Sequence, residues 1–196
     1  LLQQFQPHIA LQTEGDLPNF LIVLIKGSIE LYCNHAGRET TTDIIHPRMT
    51  CGLAAIVGDE AHLTSARTLT PSQILMVPAD AVRGVLCSDS AFARAVENEL
   101  AANCRHLLRS LKSQKLRPGT ERLANWILQT DRRQGNRGII HLTYDKRTLA
   151  AYLGMTPESL SRKFANLTDH GVVGSGRDVI ITDRDALRRW AQPNPL

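Results

Sequence analysis

The sequence has no run of about 18 apolar residues, which excludes a conventional membrane-spanning helix. Cysteine is scarce and scattered. Cys33, Cys51, Cys87 and Cys104 stand 18, 36 and 17 residues apart, with neither a C-x-x-C pair nor a zinc-ligand spacing. Thiols so isolated read as free cysteines of a reducing cytoplasm, so a cytoplasmic location is expected, with no metal site and no iron–sulfur cluster. Neither G-x-S-x-G nor G-x-x-x-x-G-K occurs, and the carboxylates are dispersed, so an enzyme is not expected. Internal repeats, low-complexity segments and a signal-peptide pattern are missing as well. Because the sequence opens on Leu1 rather than Met, its beginning carries no information about a leader.

The 196 residues exceed one average domain and can bury two modest cores. The net charge of +4 is unevenly carried. Residues 1–115 hold 10 Lys and Arg against 11 Asp and Glu, whereas residues 116–196 hold 13 against 8. A positive excess at the C-terminal end supplies the counterion-release part of DNA affinity, provided a DNA-reading motif accompanies it.

Such a motif is legible between Leu142 and Lys163. Leu149, Ala150 and Leu153 give one short helix an apolar side, and Leu160, Phe164 and Leu167 give a second helix another. Gly154 marks a tight turn between them. Two such faces close on one small core by crossing, which is a helix-turn-helix. Thr156 stands at the N-cap of the second helix, Pro157 at its first position and Glu158 in its first turn. Glu158, Ser159, Ser161 and Arg162 then point outward near the start of a recognition helix at about 157–167. A glycine stop at Gly171, the pair Val172-Val173, the turn Gly174-Ser175-Gly176-Arg177 and the run Val179-Ile180-Ile181 predict a β-hairpin behind it. That hairpin is a wing with Arg177 at its tip.

The first half alternates short apolar runs with turns. Strands are expected at Phe20–Ile25, Ser28–Cys33, Thr40–Ile45, Ala66–Leu69 and Gln73–Pro78, which suggests a small antiparallel roll. From Ser90 to Lys115, Val96, Leu100, Cys104, Leu107 and Leu111 recur every three or four residues. This predicts a helix of roughly 26 residues, about 39 Å long. Its heptad-like stripe, interrupted by Asn103 and Ser110, fits a second copy of the chain, with Val96, Leu100, Asn103, Leu107 and Leu111 at the seam. Docking on the roll is the other use of such a stripe. Pro118-Gly119 breaks the helix, and a further one is expected from Thr120 to Thr130. The fold class is therefore α+β, in three parts: a roll at 1–88, a dimerisation helix at 89–116 and a winged helix-turn-helix at 117–196.

A β-roll with Glu14-Gly15-Asp16 and Lys26-Gly27, a long helix, and Leu149-Ala150-Ala151-Tyr152-Leu153-Gly154 followed by Glu158-Ser159-Leu160-Ser161-Arg162 resemble the Crp/Fnr superfamily of bacterial transcription regulators. The resemblance spans essentially the whole chain, and Glu-x-x-Ser-Arg looks like the Fnr branch. It implies a cytoplasmic homodimer on a palindromic promoter site, RNA polymerase as a further partner, and a cyclic-nucleotide-binding-like roll that switches DNA binding. It also implies that Arg162 donates to a guanine, that Glu158 accepts from a cytosine amino group and orients Arg162, and that Ser161 contacts a thymine in TTGAT-like inverted repeats. Groove chemistry independently suits these roles: arginine matches guanine's paired acceptors and a carboxylate matches cytosine's donor. Lys146, Thr156, Ser159 and Arg177 are placed for phosphates.

The roll departs from the cyclic-nucleotide pattern. Relatives that bind cyclic AMP carry a Gly-Glu pair for the ribose and an Arg-Ser pair for the phosphate. Here Gly52-Leu53 and Leu63-Thr64 stand in those places, and Arg67 comes three residues late. A buried phosphate needs a cationic or multidentate donor, which leucine does not provide, so cyclic AMP is not the expected effector. An effector pocket around Gly52, Leu53, His62, Thr64 and Arg67 remains, taking a small organic molecule or haem. His8, His35, His46, His62 and His106, with Cys51, Cys87 and Cys104, are the available axial ligands. Two other classes stay open: a ligand-binding regulatory module, and a sequence-neutral architectural DNA binder.

Overall fold

The computed structural model describes residues 1–193. It divides into two compact units, Leu1–Leu107 and Leu108–Leu196, so the long helix is shared between them and forms no body of its own. None of the described helices is long and apolar enough to cross a membrane.

The first unit is the expected antiparallel roll. Its strands are β1 (Leu2–Phe5), β2 (Ala10–Gln12), β3 (Phe20–Lys26), β4 (Ile29–His35), β5 (Arg38–Ile45), β6 (Thr50–Cys51), β7 (Ser65–Thr68) and β8 (Ser72–Pro78). They form two four-stranded sheets, ordered β1-β8-β3-β6 and β2-β7-β4-β5. Alternation along the strands sends Ile22, Leu24, Ile29, Ile45 and Ile74 into one shared core, each nearly or fully buried. Sequence patterning missed β1, β2, β6 and the short helix α1 (Leu53–Gly58), because pieces of two to six residues carry almost no periodic signal.

Helices α2 (Ala79–Ser88) and α3 (Ser90–Leu116) follow. Leu21, Leu53, Ile56, Ala79, Val82 and Val96 make a second core, with Phe92 and Leu100 packed on its edge. This corrects the seam expected for α3. Val96 is 7% exposed in a single chain, so its surface is already spent on the roll, and Leu100 is turned the same way. Hydrogen bonds from Thr50 Oγ1 to Glu99 (3.2 Å) and between His106 Nε2 and Asp43 Oδ2 (2.9 Å) fasten the same helix. Further on, Leu107, Leu108 and Leu111 are 50–60% exposed, while Asn103 is half-buried.

The expected effector pocket also needs correction. Leu53 points into the second core and is 4% exposed. Arg67 is consumed: its guanidinium lies 2.8 Å from Glu30 and 2.7 Å from Glu39, with its carbon 4.3 Å from the centre of the Tyr32 ring. Burial works against that charge, but Glu39 and Glu30 outweigh it and push the guanidinium pKa up. Gly52, His62 and Thr64 do gather, around Gln12, whose amide donates to the Thr64 carbonyl (2.9 Å) and accepts from the Cys51 thiol (3.2 Å). The protein's own side chain thus sits among the atoms expected to hold an effector. Burial pushes the Cys51 thiol up to about 12 and lowers His62, so both are neutral near pH 7. Among the described residues no three of His, Cys, Asp and Glu converge as metal ligands.

The second unit contains α4 (Gly119–Arg133), β9 (Ile139–His141), α5 (Lys146–Tyr152), α6 (Pro157–Asn166), β10 (Val172–Ser175), β11 (Asp178–Ile181) and α7 (Arg184–Ala191). Its strands form one antiparallel sheet ordered β10-β11-β9. Leu123, Ile127, Ile140, Leu149, Leu160 and Leu167 are fully buried in one core. Burying a leucine or isoleucine stabilises by roughly 1.5–3 kcal/mol each, so this core fixes α5 and α6 against α4. Gly138 and Asp183 stand immediately before the two elements that sequence reading missed, β9 and α7. Asp183 caps α7 by accepting from the amides of Asp185 (3.0 Å) and Ala186 (2.9 Å).

Candidate nucleic-acid interface

The outward face of α6 follows from how the helix begins. Thr156 is extended, and its hydroxyl accepts from the Ser159 amide at 3.2 Å, with Pro157 in the first turn. Asp145 caps α5 likewise, accepting from the Thr148 amide at 2.7 Å. Gly154 has φ of 63° in the turn between the helices, a conformation that costs most other residues free energy and glycine little. At 100° per residue, Leu160, Phe164 and Leu167 then share the inner side of the α6 segment, leaving Glu158, Ser161 and Arg162 together on the other. Leu160 and Leu167 are fully buried, whereas Glu158, Ser161 and Arg162 are all exposed.

The electrostatics of that face suit a carboxylate paired in reach of a guanidinium. Donation from its own amide and from the Thr156 hydroxyl, with the charge of Arg162 added, holds the Glu158 carboxyl below its usual range. Glu158 therefore stays an acceptor, and its charge lies within electrostatic reach of Arg162. The Ser161 hydroxyl donates to the Pro157 carbonyl at 3.0 Å, which leaves its lone pairs outward.

The residues expected at phosphates fall around the same face. Lys146 is exposed, with its ammonium 5.7 Å from the centre of the Phe164 ring. It lines a notch of about 190 Å³ together with Phe164, Ala165 and Gly174 and Gly176 of the wing. β10 and β11 pair with Ser175 opposite Asp178, so Gly176-Arg177 is a two-residue turn. Gly176, at φ 61°, takes its first central position, where hairpin turns favour glycine. Arg177 is exposed at the tip, while its carbonyl accepts from the Leu142 amide at 2.8 Å. Ser159 is half-buried and gives its amide to Thr156, so its hydroxyl rather than its backbone is free for a phosphate.

Arg122 was not anticipated. From α4 its guanidinium donates to the carbonyls of Leu153 (2.9 Å), Gly154 (3.2 Å) and Arg117 (2.7 Å). One side chain thus ties the helix-turn-helix turn to the segment just before α4. No spacing rule could show it, because its partners are backbone atoms 31 and 32 residues ahead and 5 behind.

Residues 2–89 match the cyclic nucleotide-binding domain family, and residues 121–190 match the Crp-like helix-turn-helix domain family. The anaerobic regulatory protein of Pasteurella multocida is 27% identical over 183 residues, covering 88% of this chain and 65% of that protein. The nitrogen fixation regulation protein FixK of Azorhizobium caulinodans is 34% identical over 76 residues, covering 35% and 31%. The chain therefore spans less than two thirds of either relative. Among solved structures, FixK2 from Bradyrhizobium japonicum has a TM-score of 0.88 at 21% identity over 97% of this chain and 96% of that one. A CooA mutant from Carboxydothermus hydrogenoformans has a TM-score of 0.79 at 16% identity over 97% and 87%. At such identities the structural likeness speaks for the fold. With the two domain families together matching most of its length, in this order, the chain belongs to the Crp/Fnr superfamily.

Proposed function

We propose that the chain is a homodimeric, sequence-specific DNA-binding transcription regulator whose α6 helices read TTGAT-like inverted repeats. One observation carries this reading: a capped, outward-facing helix start that offers Glu158, Ser161 and Arg162 on one side. Arg162 is assigned to guanine, Glu158 to cytosine and Ser161 to thymine, with Lys146, Thr156, Ser159 and Arg177 on phosphates. RNA polymerase is the partner such a regulator addresses at a promoter. The switch lies in the roll, and its effector is not cyclic AMP: Leu53 is buried in the core and Arg67 is held by two glutamates. A small organic effector or haem would have to displace Gln12 from Cys51 and Thr64.

Fluorescence anisotropy on a TTGAT inverted repeat and on a scrambled duplex, at fixed salt, tests the assignment. Tighter binding to the repeat, by the thousandfold or more typical of specific sites, is the expected result. Equal affinity would make this a sequence-neutral binder, and no DNA binding would leave a ligand-binding module. Lys146→Ala is expected to weaken both duplexes alike and to reduce the salt slope by about one unit per copy.

The second copy is assigned to the exposed row Leu107, Leu108 and Leu111, which lies within about 100° of the α3 circumference. Asn103 borders this row, whereas Leu100 is turned onto the roll. A Leu111→Glu substitution places a carboxylate in that row, and sedimentation is expected to show a monomer where the unsubstituted chain is a dimer. A dimer that persists unchanged would move the seam elsewhere.

A further inference from the structure

A cleft of about 750 Å³ opens in the C-terminal unit between the last turns of α3, α4 and α7. Its volume lies in the range of small-molecule sites. None of its lining residues belongs to α5, α6 or the wing, so the DNA reading does not account for it. On α3 it is lined by Arg109, Lys112, Ser113 and Leu116. At 100° per residue these lie roughly opposite the row of Leu107, Leu108 and Leu111, so a dimer formed through that row leaves the cleft open.

The charge of the lining is one-sided. Arg109, Lys112 and Arg132 are exposed and have no ionic partner among the described residues. Among the described residues Arg188 meets only the exposed Asp185, at 3.6 Å. The two carboxylates of the lining are already engaged: Glu121 lies 3.4 Å from Arg117, and Asp131 is buried against Arg184 and the Gly138 amide. Arg184, on the cleft wall, also keeps a buried Nε without an acceptor, a rare condition for an interior donor. Beside these cations stand an apolar pair, Leu116 at 71% exposed and the partly buried Leu128, and the exposed amide of Gln129.

We infer that this cleft binds a small phosphorylated ligand of the nucleoside polyphosphate class. Guanidinium groups pair with phosphate oxygens through two parallel N–H donors, and several of them around one concavity match a chain of phosphates better than a single anion. The leucines then receive the uncharged ring portion, and the amide its polar edge. An acidic protein segment fits less well, since a helix is about 10–12 Å across with its side chains and needs an open groove.

Isothermal titration calorimetry with ATP, inorganic triphosphate, adenosine and a poly-glutamate peptide tests this at low salt and without magnesium. ATP binds, triphosphate binds more weakly, and adenosine and the peptide do not. The double variant Arg109→Ala/Arg132→Ala loses about tenfold or more in ATP affinity, as expected for two charge-assisted contacts. Both positions are exposed, and circular dichroism confirms that the variant is folded. Arg38→Ala, in the roll, keeps the affinity of the unsubstituted chain. The inference fails if neither ATP nor triphosphate binds below about 1 mM. It also fails if the peptide binds as tightly as ATP, if the double variant is unaffected, or if Lys146→Ala/Arg177→Ala is the variant that loses binding.

Discussion

Arg162→Ala is expected to lower affinity for a TTGAT inverted repeat by roughly 1–3 kcal/mol per half-site, the value of a good bidentate base contact. A symmetric dimer carries the residue twice, so the loss on the full repeat is about 2–6 kcal/mol when the sites are independent. Binding to scrambled DNA falls only by the share of one positive charge per copy, because non-specific affinity is built from phosphates. The specificity ratio therefore collapses, which distinguishes this variant from Lys146→Ala. The folded state should hardly notice. Arg162 is exposed, and exposed substitutions of that kind move stability by less than about 0.5 kcal/mol. Anisotropy titrations over a set of duplexes, each altered at one base pair, locate the effect: discrimination vanishes at one guanine position per half-site and survives elsewhere. Equal losses on cognate and scrambled duplexes would remove Arg162 from the base-reading set.

Glu158 sharpens that expectation. Its carboxyl is held below the usual range by its own amide, the Thr156 hydroxyl and the nearby Arg162, so it is ionised throughout the neutral range. Sequence reading by this face should accordingly be flat with pH between about 6 and 8, since a carboxylate held below its usual range does not titrate there.

The helix-turn-helix was legible because local chemistry specifies it. A threonine cap, a proline in the first turn and a glycine in the left-handed turn each act within a few residues, and Thr156, Pro157 and Gly154 all stand where those rules put them. The long helix was legible as a helix but not in its partners. A stripe at three- and four-residue spacing says which side of α3 is apolar, not what covers it. Only the folded chain shows Val96 and Leu100 on the roll while Leu107 and Leu111 stay open. Arg67 failed for a related reason: strand pairing sets it opposite Glu30 on a neighbouring strand, 37 residues away in sequence. Short elements were lost to weak signal, and α7 was overlooked although the Asp183 cap and the spacing of Leu187, Trp190 and Ala191 could have shown it. Arg122 and the Asp131–Arg184 pair could not be read, being contacts of tertiary origin.

That last pair should produce the larger stability effect, and its two halves should not be equivalent. Asp131 is 1% exposed on α4, and its carboxylate is satisfied by Arg184 and by the Gly138 amide at 2.8 Å. Arg184 is about one third exposed and also donates to the Asn136 carbonyl at 3.1 Å. Arg184→Ala leaves a carboxylate buried with a single amide donor, and breaking a buried pair in that sense costs about 3–5 kcal/mol. Asp131→Ala leaves an arginine that water can reach and one amide without an acceptor, which costs about 1–3 kcal/mol. The double variant removes the stranded charge and should be more stable than Arg184→Ala alone. Both tryptophans, Trp126 and Trp190, lie in this unit, so fluorescence-monitored unfolding reports on it directly. At about 4–8 °C per kcal/mol for a unit of this size, Arg184→Ala should lower its Tm by more than about 10 °C. If Asp131→Ala proves the costlier single change, the carboxylate is acting as a hydrogen-bond acceptor for the turn after α4, and the arginine is the dispensable partner.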